Sequence, residues 1–203
     1  PYEGRPEDVT ADESEIGYLL DVVNRYFKEQ LRREDILHAF SGVRPLFDDG
    51  KGNPSAVTRD YTFDLDETDG VPLLNVFGGK ITTFRKLAEH AVEKIENYFP
   101  GMAGSWTSGA PLPGGEIPNA DFVTFTERLR EAYPWMPRRL MRHYARLYGA
   151  RTHILVGDAG DLSGLGRHFG GDLYEAEVRY LIAHEWAMTA DDVLVRRTKH
   201  GLH

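Results

Sequence analysis

Apolar positions along the chain change period several times, and each change marks an element. Ile16, Leu19, Leu20, Val23 and Phe27 recur at three- and four-residue intervals, which predicts an amphipathic helix over 11–30. Thr10 followed by Glu13 fits a capping box at its start. Residues 36–44, 57–65 and 72–77 are short, rich in β-branched and aromatic residues, and bounded by Asp, Gly, Asn and Pro, which predicts strands of a largely antiparallel sheet. The stretch "DDGKGNP" is then a hairpin connection. After Gly78-Gly79 the period returns to helical: Phe84, Leu87, Ala88, Ala91, Val92 and Ile95 share one face, with Thr82 or Thr83 as the cap.

Residues 100–120 hold much of the Pro and Gly and show no periodicity, so a boundary is expected there. This divides the chain into a first segment at 1–99, a linker at 100–115 and a helical domain at 116–203. In that domain three periodic segments run through Leu129 and Tyr133, through Leu140, Tyr144, Leu147 and Tyr148, and through Leu173, Ala176, Tyr180, Leu181 and His184. Gly149 suits a C-cap, and a last helix over about 190–199 starts at Thr189 with Asp192 three residues on. The fold class expected is α+β.

Composition limits what such a fold can bind. In 203 residues there are 24 Lys+Arg against 32 Asp+Glu, a net charge of -8, which disfavours non-specific attraction to nucleic acid or anionic lipid. An anion site must therefore be local. There is no cysteine, so disulfides, thiolate metal sites and thiol nucleophiles are excluded, and the cytoplasm is the expected compartment. No run approaches the ~20 apolar residues of a membrane-spanning helix. The chain opens on Pro1 and an acidic stretch, and is expected to be a piece of a longer protein.

Three cations stand out against the acidic background. Arg44 lies between Val43 and Pro45, where a guanidinium fork suits a cleft better than solvent. Arg59 precedes Asp60, and an ordinary ion pair explains it as well as a site does. Lys80 follows Gly78-Gly79 at the start of a helix, where the macrodipole favours an anion. The glycine pair permits close approach of backbone N–H groups to an anion or ring edge, although tight packing alone also demands glycine. A phosphate would relieve the mutual repulsion of the three cations.

Other stretches carry less. "GLGRHFGG" lacks the spacing of a dinucleotide fingerprint and is expected to be a loop; "HEWAM" lacks the second histidine of a zinc-protease helix. The eight histidines are scattered, with His38 expected on a strand and His143 and His184 on helices, as packed groups and not metal ligands. Tyr144, Tyr148, Tyr180 and Trp186 are expected to be helix packing. The basic "RRTKHGLH" suits the C-terminal end of a helix without any nucleic acid.

The motifs "SGVRPL", "TRDYTFDL", "LLNVFGGKITTFRKLAEHA", "RHYARLYG" and "YEAEVRYLIAHEWAMTADDVLVRRTKHG" occur in order over nearly the whole chain. In these the chain resembles the C-terminal half of the respiratory, FAD-dependent glycerol-3-phosphate dehydrogenases. The resemblance implies an incomplete D-amino-acid-oxidase-like portion, with a substrate sheet in 36–77 and the close of the FAD domain in 72–98, followed by an all-α C-terminal domain. It implies substrate binding by Arg44, Arg59 and Lys80, and cofactor binding by Gly78, Gly79, Lys80 and Thr82. The implied partners are FAD, sn-glycerol 3-phosphate and a quinone, with peripheral attachment to the cytoplasmic face of a membrane. No strand followed by GxGxxG is present, so the chain alone is expected to be inactive and not to retain FAD, with the catalytic base elsewhere. The oxidase of the same family and a helical docking module without catalysis are the alternatives.

Overall fold

The computed structural model describes residue 2, residues 4–43 and residues 60–202. Contacts divide the chain into two compact units, Pro1–Ser108 and Gly109–His203. It is mostly helical, with two small antiparallel sheets among the described residues.

The first unit opens with α1, Glu13–Tyr26. Its cap is Asp12, not Thr10: Asp12 Oδ1 accepts from the N–H groups of Ser14 and Glu15, and Glu15 Oε2 accepts from the Asp12 N–H at 3.1 Å. Both frames present an acceptor and a Glu three residues on, and the carboxylate of Asp12 is also the better match to the positive helix end. The helix ends four residues earlier than expected. Asn24 draws the chain round by accepting from the Leu31 N–H and donating to its carbonyl, at 2.7 and 2.9 Å.

The strand expected at 36–44 is not formed over 36–43, which carry no regular ladder. His38 is accordingly not on a strand, and Leu37 and Phe40 are 87% and 94% exposed. A short apolar run without a facing ladder has no backbone partner to hold it extended. Arg44, Arg59 and the connection "DDGKGNP" lie outside the described residues.

The other two strands form as a hairpin. β1, Tyr61–Asp66, pairs with β2, Leu73–Gly78, in the register Tyr61↔Gly78 to Asp66↔Leu73. α2, Phe84–Ile95, packs on it through His90, whose ring meets Phe63 and Tyr61 edge-on at centroid distances of 5.0 and 5.9 Å. Next to it, Glu89 is buried and held by Arg85, Lys86 and the Thr107 hydroxyl. The Thr107 hydrogen bond first, then Lys86, keeps this carboxyl below its ordinary range.

The second unit holds the larger core. α3, Phe122–Ala132, and α4, Arg138–Tyr148, are followed by a short α5, Thr152–Val156, which the apolar pattern does not announce. β3, His168–Gly170, and β4, Leu173–Tyr174, make a small antiparallel pair before α6, Glu175–His184. Leu173, expected on a helix, thus opens the strand β4, and three of the eight residues of "GLGRHFGG" form β3 instead of loop. Leu129, Leu140, Tyr144, Tyr148, Leu165, Tyr180 and Leu181 are all buried together. Each of the expected helical stripes contributes to that core, as burial of one apolar face requires.

Trp186 departs from the packing expectation. It is 86% exposed at a positive φ of 55°. The chain breaks out of α6 there, and the backbone reversal turns the indole outward.

The last helical segment, Asp192–Arg197, is wound as a π-helix. Thr189 and Asp192 cap it reciprocally: the Thr189 N–H donates to Asp192 Oδ2 at 2.9 Å and the Asp192 N–H to Thr189 Oγ1 at 3.2 Å. Backbone donation from Met188, then the Thr189 hydroxyl, holds the Asp192 carboxyl well below the usual Asp range. A carboxyl depressed on folding stabilises fully above its unfolded value of about 3.9 and loses that contribution as pH falls through the folded value. Asp192→Asn is therefore expected to lower the melting temperature at pH 7 and to flatten its decline below about pH 4. Thermal melts of both proteins from pH 2 to 7 check this.

Candidate functional site

The sequence-expected site centres on the turn that joins β2 to α2. Gly78 and Gly79 take φ of +73° and +102°. A Cβ on Gly79 would lie 3.0 Å from Leu87 Cδ1, and one on Gly78 3.1 Å from the Asp60 carbonyl oxygen. The turn's own packing therefore demands glycine, and the same absence of side chains leaves its backbone uncovered. Among the described residues no acceptor takes the N–H of Gly79 or Lys80. Lys80 is exposed at the head of the turn, and its carbonyl accepts from Thr83 N–H and Oγ1, both at 3.0 Å. Thr82 is exposed beside it, and the Thr83 hydroxyl bonds back to the turn and caps no helix N–H.

The structure thus gathers Gly78, Gly79, Lys80 and Thr82 on one turn. Strand pairing carries β1 to the same end of the hairpin, because Tyr61 faces Gly78. Arg59 is two residues before Tyr61 in the sequence. The turn provides two N–H donors with no acceptor among the described residues and an ammonium group, a donor set suited to an anion or to a polar ring edge. The pyrimidine end of a flavin is such an edge, and these four residues fit it.

The second unit holds a polar constellation that sequence reasoning missed. Glu177 on α6 is fully buried. Its Oε1 accepts from Tyr148 Oη at 2.6 Å and lies 2.8 Å from His143 Nε2, both on α4. The His143 ring sits 5.4 Å from that of His200. Burial first, then the Glu177 charge, pushes the Tyr144 and Tyr148 phenols far above their ordinary value, so both remain neutral. Nearby, Arg151 Nε donates to Tyr180 Oη at 2.6 Å. One signal was readable: Glu177 stands three and four residues before Tyr180 and Leu181, so a carboxylate occupies the apolar face of α6.

Comparison with known proteins places these units. Residues 105–203 match the C-terminal domain of alpha-glycerophosphate oxidase, and the second unit belongs to that domain family. Over nearly its whole length the chain is similar to proteins named glycerol-3-phosphate dehydrogenase. It is 53% identical to the aerobic glycerol-3-phosphate dehydrogenase of Escherichia coli (strain K12), over 99% of this chain and 40% of that protein. It is 72% identical to the D-erythritol 1-phosphate dehydrogenase of Brucella abortus (strain 2308), over 100% of this chain and 40% of that protein. The mitochondrial glycerol-3-phosphate dehydrogenase of Mus musculus is 32% identical over 96% of this chain. The chain spans about two fifths of the length of the bacterial relatives. No described helix is long and apolar enough to cross a membrane.

Proposed function

We propose that the chain is the substrate-side and C-terminal portion of an FAD-dependent dehydrogenase that oxidises a short alditol phosphate. The observation that carries this reading is the high identity, over essentially the whole chain, to two dehydrogenases named for such substrates. With sn-glycerol 3-phosphate the reaction removes a hydride from C2 and the hydroxyl proton, giving dihydroxyacetone phosphate. The 72% identity to the D-erythritol 1-phosphate enzyme, against 53%, favours the four-carbon substrate over the three-carbon one.

FAD, when bound, supplies the hydride acceptor. Gly78, Gly79, Lys80 and Thr82 would hold its ring edge, and the Lys80 charge would offset negative charge developing there. Arg44 and Arg59 would take the substrate phosphate as charge-assisted forks, which fixes the carbinol carbon relative to the turn. The base that removes the hydroxyl proton would come from outside this chain. So would the GxGxxG helix start that binds the FAD pyrophosphate, so the 203 residues alone would neither retain FAD nor turn over. This arrangement corresponds to a D-amino-acid-oxidase-like flavoprotein with a helical C-terminal domain.

Electrons would pass to a quinone from an enzyme lying on the cytoplasmic face of a membrane. A second reading, transfer to oxygen, draws on the oxidase named by the domain family; the dehydrogenase names of the relatives favour the quinone. The proposal is tested by adding D-erythritol 1-phosphate, or sn-glycerol 3-phosphate, to the full-length protein without oxygen and following reduction of its flavin.

A further inference from the structure

We propose that His143, Glu177 and His200 form a site for a divalent transition-metal ion, zinc being the best chemical match, that ties the C-terminal turn to α4 and α6. One ligand atom from each of the three residues lies within 4.8 Å of the others. Two imidazoles and a carboxylate are a donor set that zinc takes readily, and three protein ligands leave one tetrahedral position for water. Bond lengths near 2.0–2.2 Å place tetrahedral ligand atoms about 3.4 Å apart, so the cluster closes by side-chain rotation of about an ångström.

The second observation is independent of that spacing. Glu177 is fully buried, yet its Oε2 has no hydrogen-bond partner among the described residues. Its other oxygen is already served by His143 and Tyr148. A fully buried carboxylate with one oxygen unsatisfied is costly, and such a group in a native fold calls for an unseen ligand. A cation meets that need, because it supplies charge where a further donor would supply only a hydrogen bond.

The surroundings suit a ligand shell. Tyr148 donates to Glu177 Oε1 and so orients the carboxylate from behind, as outer partners of metal ligands do. His200 is brought up by the end of the π-helical segment: buried Thr198 donates to the Val193 carbonyl at 2.7 Å, and Lys199 turns the chain at φ 64°. The ligands come from α4, α6 and the terminal turn. An ion there would cross-link three segments of the second unit without any cysteine.

The full chain, stripped of metal by chelation and dialysed, is titrated with zinc chloride by calorimetry and with cobalt chloride by visible absorption. The expected result is one ion per chain, the ligand-field bands of a four-coordinate cobalt site, and a melting temperature raised by zinc. His200→Ala, which removes only a ligand on the terminal turn, should weaken zinc binding at least ten-fold and abolish the thermal shift. His143→Gln should do the same, while His38→Ala should change neither. Absence of stoichiometric uptake, or uptake unaffected by His200→Ala, would overturn the site. Because His200 lies outside α4 and α6, the test does not depend on whether Glu177→Gln folds.

Discussion

Gly149→Ala is expected to unfold the second unit at temperatures where the parent chain is intact. Gly149 ends α4 at φ 53°, ψ -131°, and its N–H donates to the Ala145 carbonyl. A Cβ there would stand 2.0 Å from the Gly114 carbonyl oxygen, which itself accepts from the Ala150 N–H at 2.9 Å. The clash is with backbone, so relief requires moving a chain segment and losing that hydrogen bond. Holding a non-glycine residue in such a conformation costs about 1–3 kcal/mol, and the lost bond adds about 1 kcal/mol before any packing is disturbed.

Gly157 supplies the control. It ends α5 at nearly the same backbone angles, φ 56° and ψ -134°, but a Cβ there meets no atom of the described residues within 4 Å. Gly157→Ala should therefore cost only the conformational strain of about 1–3 kcal/mol. Urea melts of the two variants should differ by at least about 1 kcal/mol, with Gly149→Ala the weaker. Equal losses would show that contact with Gly114 contributes nothing.

The second large effect is catalytic. In the full-length protein, Arg44→Ala is expected to lower kcat/KM for an alditol phosphate about 10- to 150-fold, the equivalent of one charged hydrogen bond of about 1.5–3 kcal/mol. The loss should be confined to phosphorylated substrates. Any rate with unphosphorylated glycerol should be unchanged, and added guanidinium should restore part of the rate with the phosphate. A matching loss with glycerol would mean that Arg44 supports the fold and does not bind phosphate.

Much of the fold was legible because burial imposes a period. The stripes through Leu129, through Leu140 and Tyr144, and through Tyr180 and Leu181 each face the core of the second unit. Residues 61–66 and 73–78, within or beside two of the expected strands, pair as a hairpin. Periodicity failed where tertiary context decides. The apolar residues Leu37 and Phe40 read as strand but stand exposed, since a short apolar run does not encode whether a neighbour is present. The cap of α1 slipped by two residues because Thr10-x-x-Glu13 and Asp12-x-x-Glu15 satisfy the same rule.

The site was legible to different depths. The Gly78-Gly79-Lys80 turn announced itself by a change of period across two glycines, and its φ values explain the glycines directly. The His143, Glu177 and His200 cluster did not, because its members are 34 and 23 residues apart and converge only when α4, α6 and the terminal turn pack. The histidines are scattered in the sequence, and the fold brings His143 and His200 to one place. Glu177 was the available clue, since a carboxylate on an apolar helix face must be answered by partners.

Oxidation of an alditol phosphate is the reaction from which the roles of Arg44, Arg59 and the Gly78-Gly79-Lys80 turn follow. Full-length protein reconstituted with FAD is mixed anaerobically with D-erythritol 1-phosphate, sn-glycerol 3-phosphate or unphosphorylated erythritol at equal concentration, and loss of the oxidised flavin band is followed in time. The account predicts bleaching by both phosphates, faster with the four-carbon compound, and almost none with erythritol. Bleaching by erythritol as fast as by its phosphate, or no bleaching by either phosphate, would contradict it.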